Sequence, residues 1–221
     1  MNASDVVVTI LTGRRPGLLA DTLAAALAHA PGLLETAHVI ALHNGTDEAT
    51  ADVLATHGRL FARRLQTPKL VDMGVALGTL APMVTTSRRR WWLHLEDDWR
   101  CNPSPGWFHD ARRILIERPD VAQVRLRRAD EPVLARHMVT REPIRWRDHD
   151  GYRLAPDAHY TCNPSLVRAA DACDAWPAPG ERAAQRRWRD AGHRGVAQLV
   201  PGVFTHTGDD ESLRLKTGMP L

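Results

Sequence analysis

Lysine is almost missing from this 221-residue sequence: Lys69 and Lys216 stand alone, and arginine carries the rest of the positive charge. A charge imbalance is missing too. Twenty-nine basic side chains face 26 acidic ones, for a formal net charge of +3, which excludes a basic tail or an acidic disordered chain. No apolar run approaches the ~20 residues that span a bilayer. Met1 to Asp5 has neither the positive start nor the apolar stretch of a secretory leader. These absences point to a soluble, cytoplasmic protein with no membrane partner. Cysteine is scarce, and Cys101, Cys162 and Cys173 are odd in number and widely spaced, which suits reduced thiols better than a disulfide framework or a zinc site. Internal repeats and low-complexity segments are absent.

What remains is ordinary for a globular chain, with 43% hydrophobic and 25% charged residues, enough for one sizeable core of the α/β or α+β kind. Tryptophan supplies seven of the twelve aromatic residues. The Arg and Trp bias has two explanations: codon usage in a GC-rich genome, or a choice of Arg for phosphates and Trp for stacking on rings.

Apolar runs at Val6–Leu11, His38–Leu42, Trp91–Leu95 and Val121–Leu126 read as buried strands. Helical patterns over Leu18–His29 and about Glu48–His57 alternate with the first of them, which argues for parallel βαβ units. Met73–Gly78 reads as a glycine-punctuated loop and Thr79–Ser87 as a short helix. Farther on, Pro105–Glu117 reads as a helix and His159–Cys162 as a strand. Helices are expected over Ser165–Asp174 and about Glu181–Ala191, then a strand at Val196–Val200 and a tail from Pro201. The Arg-rich stretch Arg127–Asp157 reads as loops and edge strands.

The chemistry concentrates at Glu96-Asp97-Asp98, where the Trp91–Leu95 strand ends. Ligands of open α/β sheets bind beyond the carboxyl ends of strands. Three successive carboxylates repel one another unless a cation or a set of donors neutralises them; a hard divalent ion would do so, and an acidic turn is the simpler alternative.

In order along the chain, Val7-Val8-Thr9-Ile10-Leu11-Thr12-x-x-Arg15-Pro16, the turn Asn44-Gly45-Thr46-Asp47, the loop Met73 to Gly78 and Glu96-Asp97-Asp98 resemble the motifs of nucleotide-sugar-dependent glycosyltransferases of the GT-A fold, particularly the family-2-like group. The resemblance implies an α/β fold, a Rossmann-like and mostly parallel central sheet flanked by helices, with a C-terminal acceptor-binding part. It implies a single domain over residues 1–221, with a nucleotide-sugar-binding half at about 1–100 and an acceptor-binding half at about 101–221.

Residue by residue, it implies that Thr12 and Arg15 with Asn44 and Asp47 hold the base and ribose of a nucleoside-diphosphate sugar. Asp98 would ligate Mn2+ or Mg2+, with Asp97 or Glu96 touching sugar or ribose. Relatives with uridine donors commonly place Asp at the end of strand 2, where this chain has His43, so the donor base stays open. Phe204 to Ser212 resembles the family's late His-x-Gly element, which makes His206 the second metal ligand. Arg214 and Lys216 would neutralise the leaving diphosphate. Glu181, at a helix start, corresponds to the family's general base, with Asp174 as rival and a dipole-complementing Glu as the plain alternative.

The expected activity is hexosyl or pentosyl transfer, inverting by family analogy, to a small molecule, a saccharide or a modified base in DNA. An anionic acceptor would meet Arg88-Arg89-Arg90 or Arg125, Arg127 and Arg128. The alternatives are a nucleotidyltransferase, whose expected glycine-rich phosphate loop after strand 1 is not found in this sequence, and a non-enzymatic Arg-rich nucleic-acid-binding module, which the acidic cluster opposes electrostatically.

Overall fold

A computed structural model describes residues 2–128 and 142–208. In chain order the strands and helices are β1 Val6–Thr12, α1 Pro16–His29, α2 Leu33–Thr36, β2 His38–His43, α3 Glu48–Thr56, β3 Arg63–Gln66, α4 Met73–Thr86, β4 Trp91–Glu96, β5 Trp99–Cys101, α5 Trp107–Glu117, β6 Val121–Arg125, β7 Arg147–His149, β8 Tyr152–Ala155, β9 Ser165–Arg168, α6 Ala172–Ala175, α7 Glu181–Asp190, β10 Gly195–Leu199 and β11 Phe204–His206. Nine strands form one sheet in the order β3-β2-β1-β4-β9-β6-β10-β8-β7, and β11 pairs with β5 in a second, two-stranded sheet.

The first half is built as its sequence pattern dictates. Every residue of β1 is buried, as expected of a parallel strand covered on both faces. Pro16 opens α1 with its fixed φ, and Leu19, Thr22, Leu23 and Ala26 form its buried stripe. Asp47 caps α3 by accepting from the Thr50 N–H at 2.9 Å. One core lies on the side of Val6, Val8, Ile10, Trp91, Leu93 and α5. The other lies on the side of Val7, Leu11, Trp92, α4, α6 and α7.

Three expectations are corrected. The Met73–Gly78 segment is the first part of α4. Its glycines mark close approach: a Cβ on Gly74 would lie 2.0 Å from the Ala178 carbonyl oxygen, and one on Gly78 would lie 2.8 Å from Pro177 Cβ. Ser165–Arg168 is a strand, antiparallel to both β4 and β6, and helix begins only at Ala172. Its helix-compatible pattern yields to tertiary pairing, because Leu166 and Val167 bury opposite sides in the two cores. His159–Cys162 is irregular, and its backbone is tied by side chains, with Gln123 donating to the Thr161 carbonyl and Gln185 to that of Tyr160.

β1, β2, β4, β6 and β10 all present their carboxyl ends at one edge. Just inside that edge one register row is polar from strand to strand: Thr9, His94, Ser165, Arg125, Gln198 and Arg153. His94 is its most enclosed ring. Its Nδ1 sits 2.9 Å from Thr9 Oγ1, which also accepts from the Trp92 indole at 2.7 Å.

Burial holds the His94 pKa down at about 4. An unfolded His takes a proton below about 6.5 while the folded one resists until about 4, so its contribution is present above pH 6.5 and lost as pH falls through that window. We expect the drop in urea-unfolding free energy from pH 7 to pH 4.5 to shrink by ~2 kcal/mol in His94→Gln relative to wild type; equal drops would refute the assignment.

Candidate active site

The acidic triplet follows β4 directly, and its three carboxylates face three environments. Asp97 has no exposed surface. Its Oδ2 accepts from Thr12 Oγ1 at 2.8 Å and from the Gly13 N–H at 3.0 Å, and its Oδ1 meets the Arg15 guanidinium. The Thr22 hydroxyl donates to its carbonyl at 2.8 Å. Asp97 therefore closes the β1–α1 loop onto the end of β4. Burial pushes its pKa up to about 6, against the pull of Arg15 and Thr12.

Asp98 is shared between Arg15, whose Nη1 donates to Oδ2 at 2.7 Å, and His206, whose Nε2 lies 3.3 Å from the same oxygen. Burial raises its pKa, but the hydrogen bond from His206 and the charge of Arg15 outweigh burial and lower it overall. The Asp98 carbonyl is held by the N–H and hydroxyl of Thr207, at 2.9 and 3.0 Å. This places Gly208 so close that a Cβ there would lie 2.5 Å from Asp98 Oδ2. β11 pairs His206 with Trp99, their rings 4.9 Å apart.

Glu96 projects on the α4 and α7 side, the side of His94. Burial, with Asp98 and Asp97 adding, pushes its pKa up to about 8, and the charge of Glu181 contributes to the rise. Glu181 opens α7 after Gly180, whose φ of +108° suits glycine. Its Oε1 accepts from the Cys162 N–H at 3.1 Å. Asp174 lies elsewhere: it pairs with His193 at 2.7 Å, and its charge acts on Asp171. Among the described residues, Asp171, Asp174 and His193 bring three potential ligand atoms within 4.8 Å of one another.

Asn44 and Asp47 flank the end of β2. The Asn44 amide is bonded at both ends to Val71, 2.9 Å each, and fixes the segment that leads to α4. Asp47 accepts from His43 Nε2 at 2.9 Å and from the Arg14 N–H at 3.1 Å. Burial raises its pKa, but hydrogen bonds from Thr50 and His43 outweigh it and hold it at about 2. Thr12, Arg15, Glu96, Asp97, Asp98, Glu181 and His206 are thus gathered at one sheet edge, with Asn44 and Asp47 along the same edge. Arg214, Lys216 and the acids Asp209 to Glu211 lie outside the described residues.

A divalent ion fits Asp98 and does not fit Asp97. Both Asp97 oxygens are committed to protein donors. Asp98 Oδ1 is buried without a hydrogen-bond partner among the described residues, an orphaned acceptor that costs stability unless a cation or donor meets it. With the His206 imidazole next to it, the carboxylate and nitrogen donors suit Mn2+ or Mg2+ completed by substrate oxygens.

The fold as a whole matches solved structures. The S. aureus protein TarS, residues 1–349, superposes with a TM-score of 0.61 at 12% identity over 94% of this chain and 61% of that one. GalNAc-T7 with UDP, GalNAc and Mn2+ gives 0.64 at 10% identity over 91% of this chain and 43% of that one. The chain has the GT-A glycosyltransferase fold. TarS 1–349 in complex with UDP-GlcNAc is similar at a TM-score of 0.58 and 12% identity, over 92% and 58% of the two chains. The chain spans about three fifths of the TarS 1–349 length. No protein-family model and no curated protein matches the sequence.

Arg15 was expected at the base and ribose; the structure puts its guanidinium on two buried carboxylates. Its removal leaves Asp97 and Asp98 without their cationic partner in a buried site, so Arg15→Ala is expected to cost ~3–5 kcal/mol of unfolding free energy. Asp97→Asn in the same chain should recover part of the loss, a coupling that a double-mutant cycle by denaturant unfolding measures; strict additivity would show that the pair is not coupled.

Proposed function

We propose that the chain is a metal-dependent glycosyltransferase that moves a sugar from a nucleoside diphosphate to an acceptor hydroxyl with inversion. The observation that carries the reading is the orphaned, buried Asp98 Oδ1 beside His206 at the carboxyl edge of a GT-A sheet. Solved neighbours that hold UDP, UDP-GlcNAc or Mn2+ support it. Asp98 and His206 would hold Mn2+ or Mg2+, which when bound offsets the charge of the departing diphosphate.

Residues 1–100 form the donor half in this reading. The β1–α1 loop with Thr12 and Arg15, and the β2 end with Asn44 and Asp47, border the base and ribose. His43, bonded to Asp47, occupies the place of the Asp common in uridine-specific relatives, so the base is settled by measurement. Glu96, half-buried on the Glu181 side, faces the transferred sugar. Arg214 in the C-terminal segment neutralises the leaving group. Residues 101–221 form the acceptor half, in a protein read as cytoplasmic.

Glu181 is the general base. Its carboxylate takes the proton of the acceptor hydroxyl as the oxygen's electron pair forms the new bond to the anomeric carbon. The bond from that carbon to the diphosphate oxygen breaks, and its electron pair leaves with the nucleoside diphosphate. The Cys162 N–H fixes one oxygen of Glu181, and its charge is felt at Glu96 and Arg125. That position favours it over Asp174.

In a thermal-shift panel of nucleoside diphosphates and nucleotide sugars with Mn2+ or Mg2+, one donor base should raise the melting temperature. Turnover of that donor should fall at least ~100-fold in Asp98→Asn and in excess EDTA, and undiminished turnover would overturn the metal role. Glu181→Gln should lower kcat for transfer by ~100-fold or more with donor affinity kept; full transfer would move the base elsewhere.

A further inference from the structure

Next to Glu181 the polar register row ends in two guanidinium groups that no described carboxylate meets in a direct ion pair, although the charge of Glu181 acts on Arg125 and that of Asp148, opposite Arg153 in register, acts on Arg153. Arg125, the last residue of β6, is 4% exposed. Its Nη2 donates to the His159 carbonyl at 2.6 Å, and its Nε is buried with no partner among the described residues. Arg153 of β8 donates from Nη2 to Gln198 Oε1 at 3.0 Å, and its Nε is likewise buried and unpartnered. Gln198 stands between the two strands in register with both residues. Both guanidiniums pack on one indole, that of Trp146, at 5.6 and 4.7 Å from the ring centre.

Several other arginines that are partly or mostly buried are provided for. Arg15 meets two carboxylates, Arg112, Arg118 and Arg189 each meet one, and Arg168 donates to two backbone carbonyls. Arg125 and Arg153 have no carboxylate within ion-pair distance among the described residues. Burial lowers the Arg125 pKa to about 10 despite the nearby charge of Glu181, and Arg153 and Arg127 lower it further. A cation held this way is poorly solvated and poorly paired, and both costs fall when an oxyanion arrives.

We propose that Arg125, Arg153 and Trp146 form an acceptor subsite for a phosphate ester, so that the transferase acts on a small hydroxyl compound or saccharide that carries a phosphate group. A phosphate offers several acceptor oxygens and up to two negative charges to two guanidinium forks. The half-buried Arg153 gives access, the buried Arg125 gives strength, and the adjacent Glu181 takes the proton of a hydroxyl on the same molecule. The assignment rests on the glycosyltransferase reading for its word acceptor, and the subsite itself is testable apart from it.

The test is calorimetric titration of glycerol 1-phosphate into the full chain without divalent ion, against glycerol and glycerate. Wild type should bind glycerol 1-phosphate and not glycerol, and Arg153→Ala should weaken binding at least tenfold, with Arg153→Lys between them. Arg125→Lys, which keeps the charge in the buried position, should also weaken it. Equal binding by wild type and Arg153→Ala, or binding of glycerol as tight as of its phosphate, would overturn the subsite. Glycerate binding as tightly would overturn the choice of phosphate. A single-stranded oligonucleotide that displaces glycerol 1-phosphate in an Arg153-dependent way would overturn the small-molecule assignment. Nucleotide-sugar hydrolysis by wild type is scored separately: Arg153-dependent phosphate binding without any donor turnover refutes the transferase reading and leaves the subsite standing.

Discussion

Three consecutive carboxylates at the end of a buried strand can exist only if most of their charge is met from within the protein, and Arg15 is what meets it. Its guanidinium reaches Asp97 and Asp98 together, from a loop whose path is fixed in turn by Asp97 through Thr12 and Gly13. Burial works against the Arg15 charge, but the two carboxylates outweigh it and raise its pKa. Take the arginine away and the cost is that of an uncompensated interior charge. The same contact sets the distance between the ends of β1 and β4, and so the shape of the edge at which any ligand must bind.

That arrangement divides labour among neighbours that look alike in sequence. Asp97 is consumed by structure. Asp98 spends one oxygen on Arg15 and His206, and its other oxygen has no hydrogen-bond partner among the described residues. Glu96, one step back along the strand, turns to the opposite side and senses Glu181. Alternation along β4 sends Glu96 to the His94 side of the sheet, while the turn after it lets the two aspartates face the β1–α1 loop.

How much of this the sequence discloses depends on whether the cause is local. β1, β2 and β4 are legible because a β-branched or apolar run closed by turn residues has few other fates. That the acidic motif, His206 and Glu181 come to one sheet edge is legible only through resemblance to family motifs in their order along the chain. The helix at Met73 is not, because glycine signals a loop locally and close packing only once Ala178 and Pro177 are in place. β9 is not, because four residues that run into a helix-forming Ala169-Ala170 segment become a strand only between two partners far away in the chain. The structural role of Arg15 and Asp97 was hidden for the same reason: it needs the knowledge that residues 82 positions apart touch. Arg153 and Trp146 gave no usable signal, since an arginine in an Arg-rich edge segment looks solvated until its lack of a carboxylate partner is visible.

The reversed strand β9 has a consequence for how the molecule is assembled in time. Among the described residues it is the only strand that bridges the β1–β4 half of the main sheet and the β6–β10 half, pairing with β4 on one side and β6 on the other. β4 therefore stays an open edge, liable to mispair, until a segment made some seventy residues later arrives. Such pairing of distant segments is slow to form because loop closure comes before its reward. During synthesis β1 to β4 emerge first, yet they remain unsealed until β9 has been made, so the N-terminal half of the sheet is not finished before the C-terminal half is under way.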